Sequence, residues 1–133
     1  MKYVSAFDSK TLHDGSSRRS QTPLPINVAA DVEIEEMANG SLFDPNYGTG
    51  SPVKPKPFSA LFFMRFDTAA EAEAEIAAIK AKIGDTGDVT ASFTSGATAE
   101  TCTATLERAQ DVFSSNGRAF KLTLFFVPFT DWS

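Results

Sequence analysis

The sequence predicts a mainly β domain carrying one α-helix, on three observations. Several stretches alternate or run apolar at strand spacing, among them "INVAADVEIEEM" (residues 26–37), "FSALFFMRF" (58–66) and "FKLTLFFVPF" (120–129). Only one stretch carries a capped helical period. The aromatic content is 12 Phe against 1 Trp and 2 Tyr, and the rings cluster in the strand-like stretches.

The helix is predicted within "DTAAEAEAEIAAIKAKIG" (67–84). Thr68 and Glu71 have capping-box spacing, so hydroxyl and carboxylate can satisfy the first free backbone donors. Ala72, Ile76, Ile79 and Ile83 form one apolar stripe. Glu71, Glu73 and Glu75 precede Lys80 and Lys82, which suits the helix dipole, and Gly84 supplies the stop.

Among the strands, 26–37 sets Ile26, Val28, Val32 and Ile34 against Asn27, Asp31, Glu33 and Glu35 and reads as half-buried. "DVTASFT" (88–94) puts Val89, Ala91 and Phe93 on one face. After a turn at Ser95-Gly96, "TCTATLERA" (101–109) faces Cys102, Ala104 and Leu106 inward and its threonines outward. A turn at Asn116-Gly117 leads into the last strand.

Two strands break the alternation. Phe58, Phe62, Met64 and Phe66 share one face of 58–66, yet Leu61 and Phe63 lie on the other. Phe120, Leu122, Leu124 and Phe126 share one face of 120–129, with Phe125 and Val127 opposite. A strand apolar on both faces has to be covered on both. One helix covers only one side, so the remainder is expected to meet a neighbouring subunit.

Residues 38–57, "ANGSLFDPNYGTGSPVKPKP", make a loop longer than compact domains usually carry. Its aromatic residues Phe43 and Tyr47, with Val53 and the stiff "PVKPKP", read as an assembly arm. The expected interface is therefore Phe43, Tyr47 and Val53 on the arm, with Leu61, Phe63 and Phe125 on the strands. "KYVSAF" reads as a short strand, and the rest of residues 1–25 as an extended lead-in or second loop.

With 133 residues the chain is expected to form a single domain. Its 12 basic and 17 acidic residues give a net charge of −5, against any sequence-independent grip on nucleic acid. The single cysteine, Cys102, excludes an internal disulfide and a multi-cysteine zinc site. No signal-peptide core and no bilayer-length apolar run is present, so no membrane insertion is expected.

The motif-like fragments have plain readings. Asp85-Thr86-Gly87 spells an aspartic-protease triplet, whose chemistry needs two carboxylates sharing a proton. Here it follows a helix and Gly84, which suits a turn. His13-Asp14-Gly15-Ser16 holds the residue types of a serine triad, but adjacent loop residues cannot converge as a triad does. The acidic runs "DVEIEE" (31–36) and "EAEAE" (71–75) lack calcium-loop spacing and read as solvated faces. Arg18-Arg19 is too short for a nucleic-acid patch. Cys102 reads as a small core residue. No catalytic, cofactor-binding or metal-binding residue is expected.

Strand, long arm, apolar strand, capped helix and then a three-strand meander is a recognisable order. From 26 to 128 it resembles the tail-tube-like fold of tail proteins of long-tailed bacteriophages, the distal tail proteins in particular. The residues carrying the resemblance are "AEIAAIKAKIGDTGDVTASF", "TCTATLERA" and "FKLTLFFVPFTDW". The resemblance implies two packed antiparallel sheets, a β-sandwich or split barrel, flanked by the helix. It implies a structural virion protein, made in the host cytoplasm, that forms a homo-oligomeric, in that family hexameric, ring joining tail tube to baseplate. Its partners would be further copies of itself, the tube, the hub or baseplate and the tape measure, with DNA only in transit through the lumen. A tail-tube, tail-terminator or neck ring protein fits the same order. Two rivals come from other classes: an aspartic protease-like homodimer using Asp85, and a small carbohydrate-binding sandwich stacking sugars on Phe43, Tyr47 and Trp132.

Overall fold

The computed structural model describes residues 1–21, 23–24, 28–30, 35–36, 42–43 and 53–133, with backbone pairing alone for 28–30, 35–36, 42–43 and 53–54. Its main sheet contains β1 (Lys2–Phe7), β2 (Lys10–Thr11), β3 (Arg18–Ser20), β8 (Phe58–Arg65), β9 (Thr86–Phe93), β10 (Glu100–Phe113) and β11 (Ala119–Pro128). Between β3 and β8 come β4 (Val28–Ala30), β5 (Glu35–Glu36), β6 (Leu42–Phe43) and β7 (Val53–Pro55); between β8 and β9 comes the helix α1 (Ala69–Lys80). The order across the seven-stranded sheet is β2-β1-β9-β10-β11-β8-β3, antiparallel throughout.

The sheet is strongly curled. β1 and β11 are separated by β9 and β10, which in a flat sheet would set them about 14 Å apart. Yet the Phe7 and Phe126 rings lie 5.3 Å apart, centre to centre. The expected pair of packed sheets gives way to one continuous ladder whose concave side encloses the core. Val4, Phe7, Phe62, Met64, Val89, Leu106, Phe120, Leu122, Leu124 and Phe126 are buried there.

Residues 10–21 with 23–24, expected as a lead-in, form a strap across the seam of this half-barrel. Along β1, the Leu12 N–H donates to the Ser5 carbonyl at 2.8 Å and the Leu24 N–H to that of Lys2 at 2.7 Å. Along β8, the Gln21 N–H donates to the Leu61 carbonyl, and the Arg65 N–H to that of Ser17, each at 2.8 Å. Leu12 is buried in the core. Between these contacts the Asp14 carboxylate accepts from the Ser16 and Arg18 N–H groups at 2.8 and 2.9 Å, which fixes the turn.

The β1–β2 turn is two residues long, Asp8 and Ser9, both at positive φ (47° and 66°). This is the hairpin turn whose twist matches the strands. Asp8 lies so close to β9 that a Cβ at Gly87 would sit 2.8 Å from the Asp8 Cβ. Only glycine admits that approach.

The helix begins as expected: the Glu71 N–H donates to the Thr68 hydroxyl at 3.2 Å. It ends at Lys80, and Gly84 (φ 91°) closes the following turn by donating to the Leu106 carbonyl at 2.8 Å. Ala72, Ile76 and Ile79 are buried against the core, whereas Ile83, expected in the same stripe, lies past the helix end and is exposed. The other correction is Glu75. It reads as part of a solvated face, but it is buried on the stripe side, at 7% exposure. Its carboxylate accepts from Lys10 Nζ at 2.9 Å and from two Arg18 nitrogens at 2.9 Å each.

The described residues of the stretch 26–37 are not part of the main sheet. Its described parts are β4, which pairs with β7, and β5, which pairs with β6, both antiparallel. The β5–β6 pair is nested inside the β4–β7 pair, so between Val28 and Pro55 the chain doubles back on itself, joined by neither ladder to the seven-stranded sheet. This excursion takes in most of the expected arm, 38–57, which apart from 42–43 and 53–57 lies outside the described residues. The side chains of Ile26, Val28, Val32 and Ile34 lie outside the described residues.

Candidate interaction surface

The convex side of β8, β11 and β10 is where outward apolar side chains gather. On β8 and β11 the even-numbered residues fill the concave core, so the odd-numbered ones face out. Register then aligns them: Lys121 of β11 stands between Phe63 of β8 and Val112 of β10, and Arg19 of β3 pairs with Phe63 on its other side. One row of the face thus reads Val112, Lys121, Phe63, Arg19. Two residues further along, Gln110 aligns with Thr123 and Leu61; two beyond that, Arg108 aligns with Phe125 and Ser59.

Val112 reaches this face through an irregularity. The β10–β11 register shifts between Leu106 and Arg108, so one residue is unpaired and the alternation changes phase. Cys102, Ala104 and Leu106 point inward before the shift; Ala109 and Phe113 pack on the core after it. The far end of the strand therefore sends Arg108, Gln110 and Val112 outward.

This face is exposed and unevenly polar. Val112 is 70% exposed and Phe63 37%, while Leu61 and Phe125 are half-buried. The Arg108 guanidinium lies 3.8 Å from the centre of the Phe125 ring, a cation–π contact that covers one side of it. A groove of about 210 Å³, lined by Phe63, Val112, Phe113, Phe120 and Lys121, opens at the β10–β11 hairpin end. The other half of the convex side, on β9 and the first part of β10, carries hydroxyls instead. Thr86 and Thr105 hydrogen-bond to each other at 2.6 Å, and Ser92 donates to Ser5 at 2.8 Å.

Of the six residues expected at an interface, Leu61, Phe63 and Phe125 are brought onto this one face. Phe43 lies in β6 and Val53 in β7, and Tyr47 lies outside the described residues. Val112 and the cations Arg19, Arg65, Arg108 and Lys121 were not expected. The signal for Val112 was the apolar run resuming out of phase after Leu106.

The remaining motif residues have structural roles. Asp85 is exposed in the turn after α1, where its N–H donates to the Lys82 carbonyl at 3.0 Å. His13 accepts from the Ser20 N–H through Nδ1 at 2.9 Å and packs on Tyr3. Burial pushes the Cys102 thiol up to about 11, consistent with a core residue rather than a nucleophile. Trp132 is no open platform, because it packs on Phe58 and Lys2 Nζ stands 4.3 Å from its ring centre. Among the described residues no cluster of metal-ligating side chains occurs, and no helix is long and apolar enough to cross a membrane.

No protein-family model and no curated protein matches this chain. Solved structures do. A chain of the phage P2 baseplate in its activated conformation with Ca aligns over 98% of this chain and 44% of its own, at a TM-score of 0.66 and 14% identity. A chain of the same baseplate with Sr aligns over 89% of this chain and 38% of its own, at 0.64 and 13%. This chain thus spans less than half the length of the chains it matches, and at such identity what is shared is the fold. The curled sheet flanked by α1 is a fold found in the phage P2 baseplate.

Proposed function

We propose that this chain is a structural, non-enzymatic protein of a phage tail, built into a homo-oligomeric ring at the tail tip, where tube meets baseplate. In this reading six copies surround a lumen that passes the tape measure and then DNA. The observation that carries it is the convex face: Phe63, Val112 and Phe125 project outward from strands whose concave sides are already filled. Such a patch on a charged, acidic chain marks a protein contact. The fold likeness to phage baseplate chains supports the same reading. The excursion from Val28 to Pro55, with Phe43, Tyr47 and Val53, supplies the arm, and Leu61, Phe63 and Phe125 belong to the surface it meets.

The test is the mass of the purified protein by light scattering across a concentration series, beside a Phe63→Lys variant. A closed oligomer in the wild type, reduced to monomer by the substitution with the melting transition retained, is expected. A wild type that stays monomeric at every concentration overturns the ring.

A further inference from the structure

Apart from Lys56, the basic side chains of the described residues fall into two groups. Lys2, Lys10, Arg18, Lys80 and Lys82 each lie within salt-bridge distance of a carboxylate. Arg19, Arg65, Arg108, Arg118 and Lys121 have no carboxylate of the described residues within salt-bridge distance, although the chain carries 17 acidic residues. Those five are not scattered. Four belong to the convex face around Phe63 and Phe125, and Arg118 sits in the hairpin turn beside the groove. Glu107, in the bulge next to Arg108, and Asp67, two residues past Arg65, are acids close to them in sequence but not within salt-bridge distance.

The complementary charge is in the excursion. Residues 31–44 hold Asp31, Glu33, Glu35, Glu36 and Asp44 and no basic residue, and in 31–36 the acids are interleaved with Val32 and Ile34. Such a segment matches an apolar groove rimmed by cations in both respects. The excursion returns through β7 into Pro55, Lys56 and Pro57, and a proline holds the residue before it extended. It thus rejoins β8 at Phe58, whereas the groove and Arg65 lie at the opposite end, about 23 Å along the strand.

We infer that the cationic, apolar half of the convex face receives the acidic segment 31–36 of a second copy of this chain. The inference rests on the ring reading and names the contact that closes it. Each copy then offers one acidic segment and one basic face, a head-to-tail arrangement that closes when the rotation allows. Salt should weaken the contact, since the charges rim an exposed groove.

The experiment reverses charge on each side separately, as Arg65→Glu with Lys121→Glu on the face and Glu33→Lys with Glu35→Lys and Glu36→Lys on the segment. Each variant alone is expected to need at least about tenfold more protein to assemble by light scattering, with its circular dichroism and melting transition retained. An equimolar mixture is expected to assemble again, because each basic segment then finds an acidic face and each acidic segment a basic one. Should the face reversal unfold the chain, Arg65→Gln with Lys121→Gln removes the charge without reversing it and should weaken assembly in the same direction. A wild type that assembles while the swaps change nothing, or a mixture that stays dissociated, overturns this inference and leaves the ring standing. A wild type that never assembles overturns both.

Discussion

Lys10 and Arg18 stand on the two opposite borders of the seven-stranded sheet, and both donate to the carboxylate of Glu75. In a flat sheet of that order the borders would be about 29 Å apart. Here one side chain of the helix holds them at one point, and Asp14 adds a second carboxylate to Arg18 at 3.1 Å. The cluster fastens the strap, the helix and both sheet borders together.

Glu75→Gln should therefore loosen the seam more than the centre. Removing a buried carboxylate leaves Lys10 and Arg18 without their main partner, at a cost of about 2 kcal/mol, moderated because both cations keep some contact with water. Denaturant unfolding would give the magnitude, and hydrogen exchange the location. The amides of Leu12, Gln21 and Arg65 should exchange faster, with those of Leu122 and Leu124 tracking global unfolding. Uniform acceleration across the sheet would show that Glu75 is not a seam contact.

Acid should act through the same cluster. Hydrogen bonds from the Arg18 and Ser16 N–H groups hold the Asp14 carboxyl well below its ordinary value. Burial pushes the Glu75 carboxyl up, but the hydrogen bonds and charges of Arg18 and Lys10 outweigh it and leave it lowered from the ordinary 4.5. Groups depressed in the folded state contribute their stability in full above the unfolded values and lose it as pH falls through the folded ones. Stability should thus be level near neutrality and decline below about pH 4.5. In a chain with Glu75→Gln and Asp14→Asn that acid slope should flatten, and an unchanged slope would assign the sensitivity to other carboxylates.

Gly87 and Asp8 should behave as a coupled pair. Gly87→Ala puts a methyl group 2.8 Å from the Asp8 Cβ, a backbone-proximal atom that cannot swing aside. Overpacking of this kind costs about 1–3 kcal/mol. Asp8→Gly keeps the positive φ and removes the obstructing atoms, so the double variant should recover most of the loss despite giving up the Lys82 ion pair. Additive losses in a double-mutant cycle would place the strain elsewhere.

What the sequence revealed follows from how local each signal is. The helix, its Thr68 cap and the inward faces of β8, β9 and β11 are written in short-range spacing, and so is the outward placement of Leu61, Phe63 and Phe125. β2 and β3 are only two and three residues long, too short to show a period. Glu75 occupies the buried stripe with Ala72, Ile76 and Ile79, yet the cations that make its burial tolerable come 65 and 57 residues earlier. Residue type argued for solvent there, and position argued for the core. In β10 a single unpaired residue reverses the alternation, so Val112 and Phe113 look mis-phased to any reading that assumes an unbroken strand.

The strap has one more consequence. A sheet with a long bare border is a template on which any extended chain can add strands, the route by which β-rich proteins stack into fibrils. Here the strap donates to or pairs with β1 along one border and β8 along the other, and its own strands are too short to recruit a newcomer. Growth by strand addition is thereby blocked at both borders. In the proposed ring, contact between folded copies would then depend on matching side chains rather than on a free sheet border open to any passing peptide.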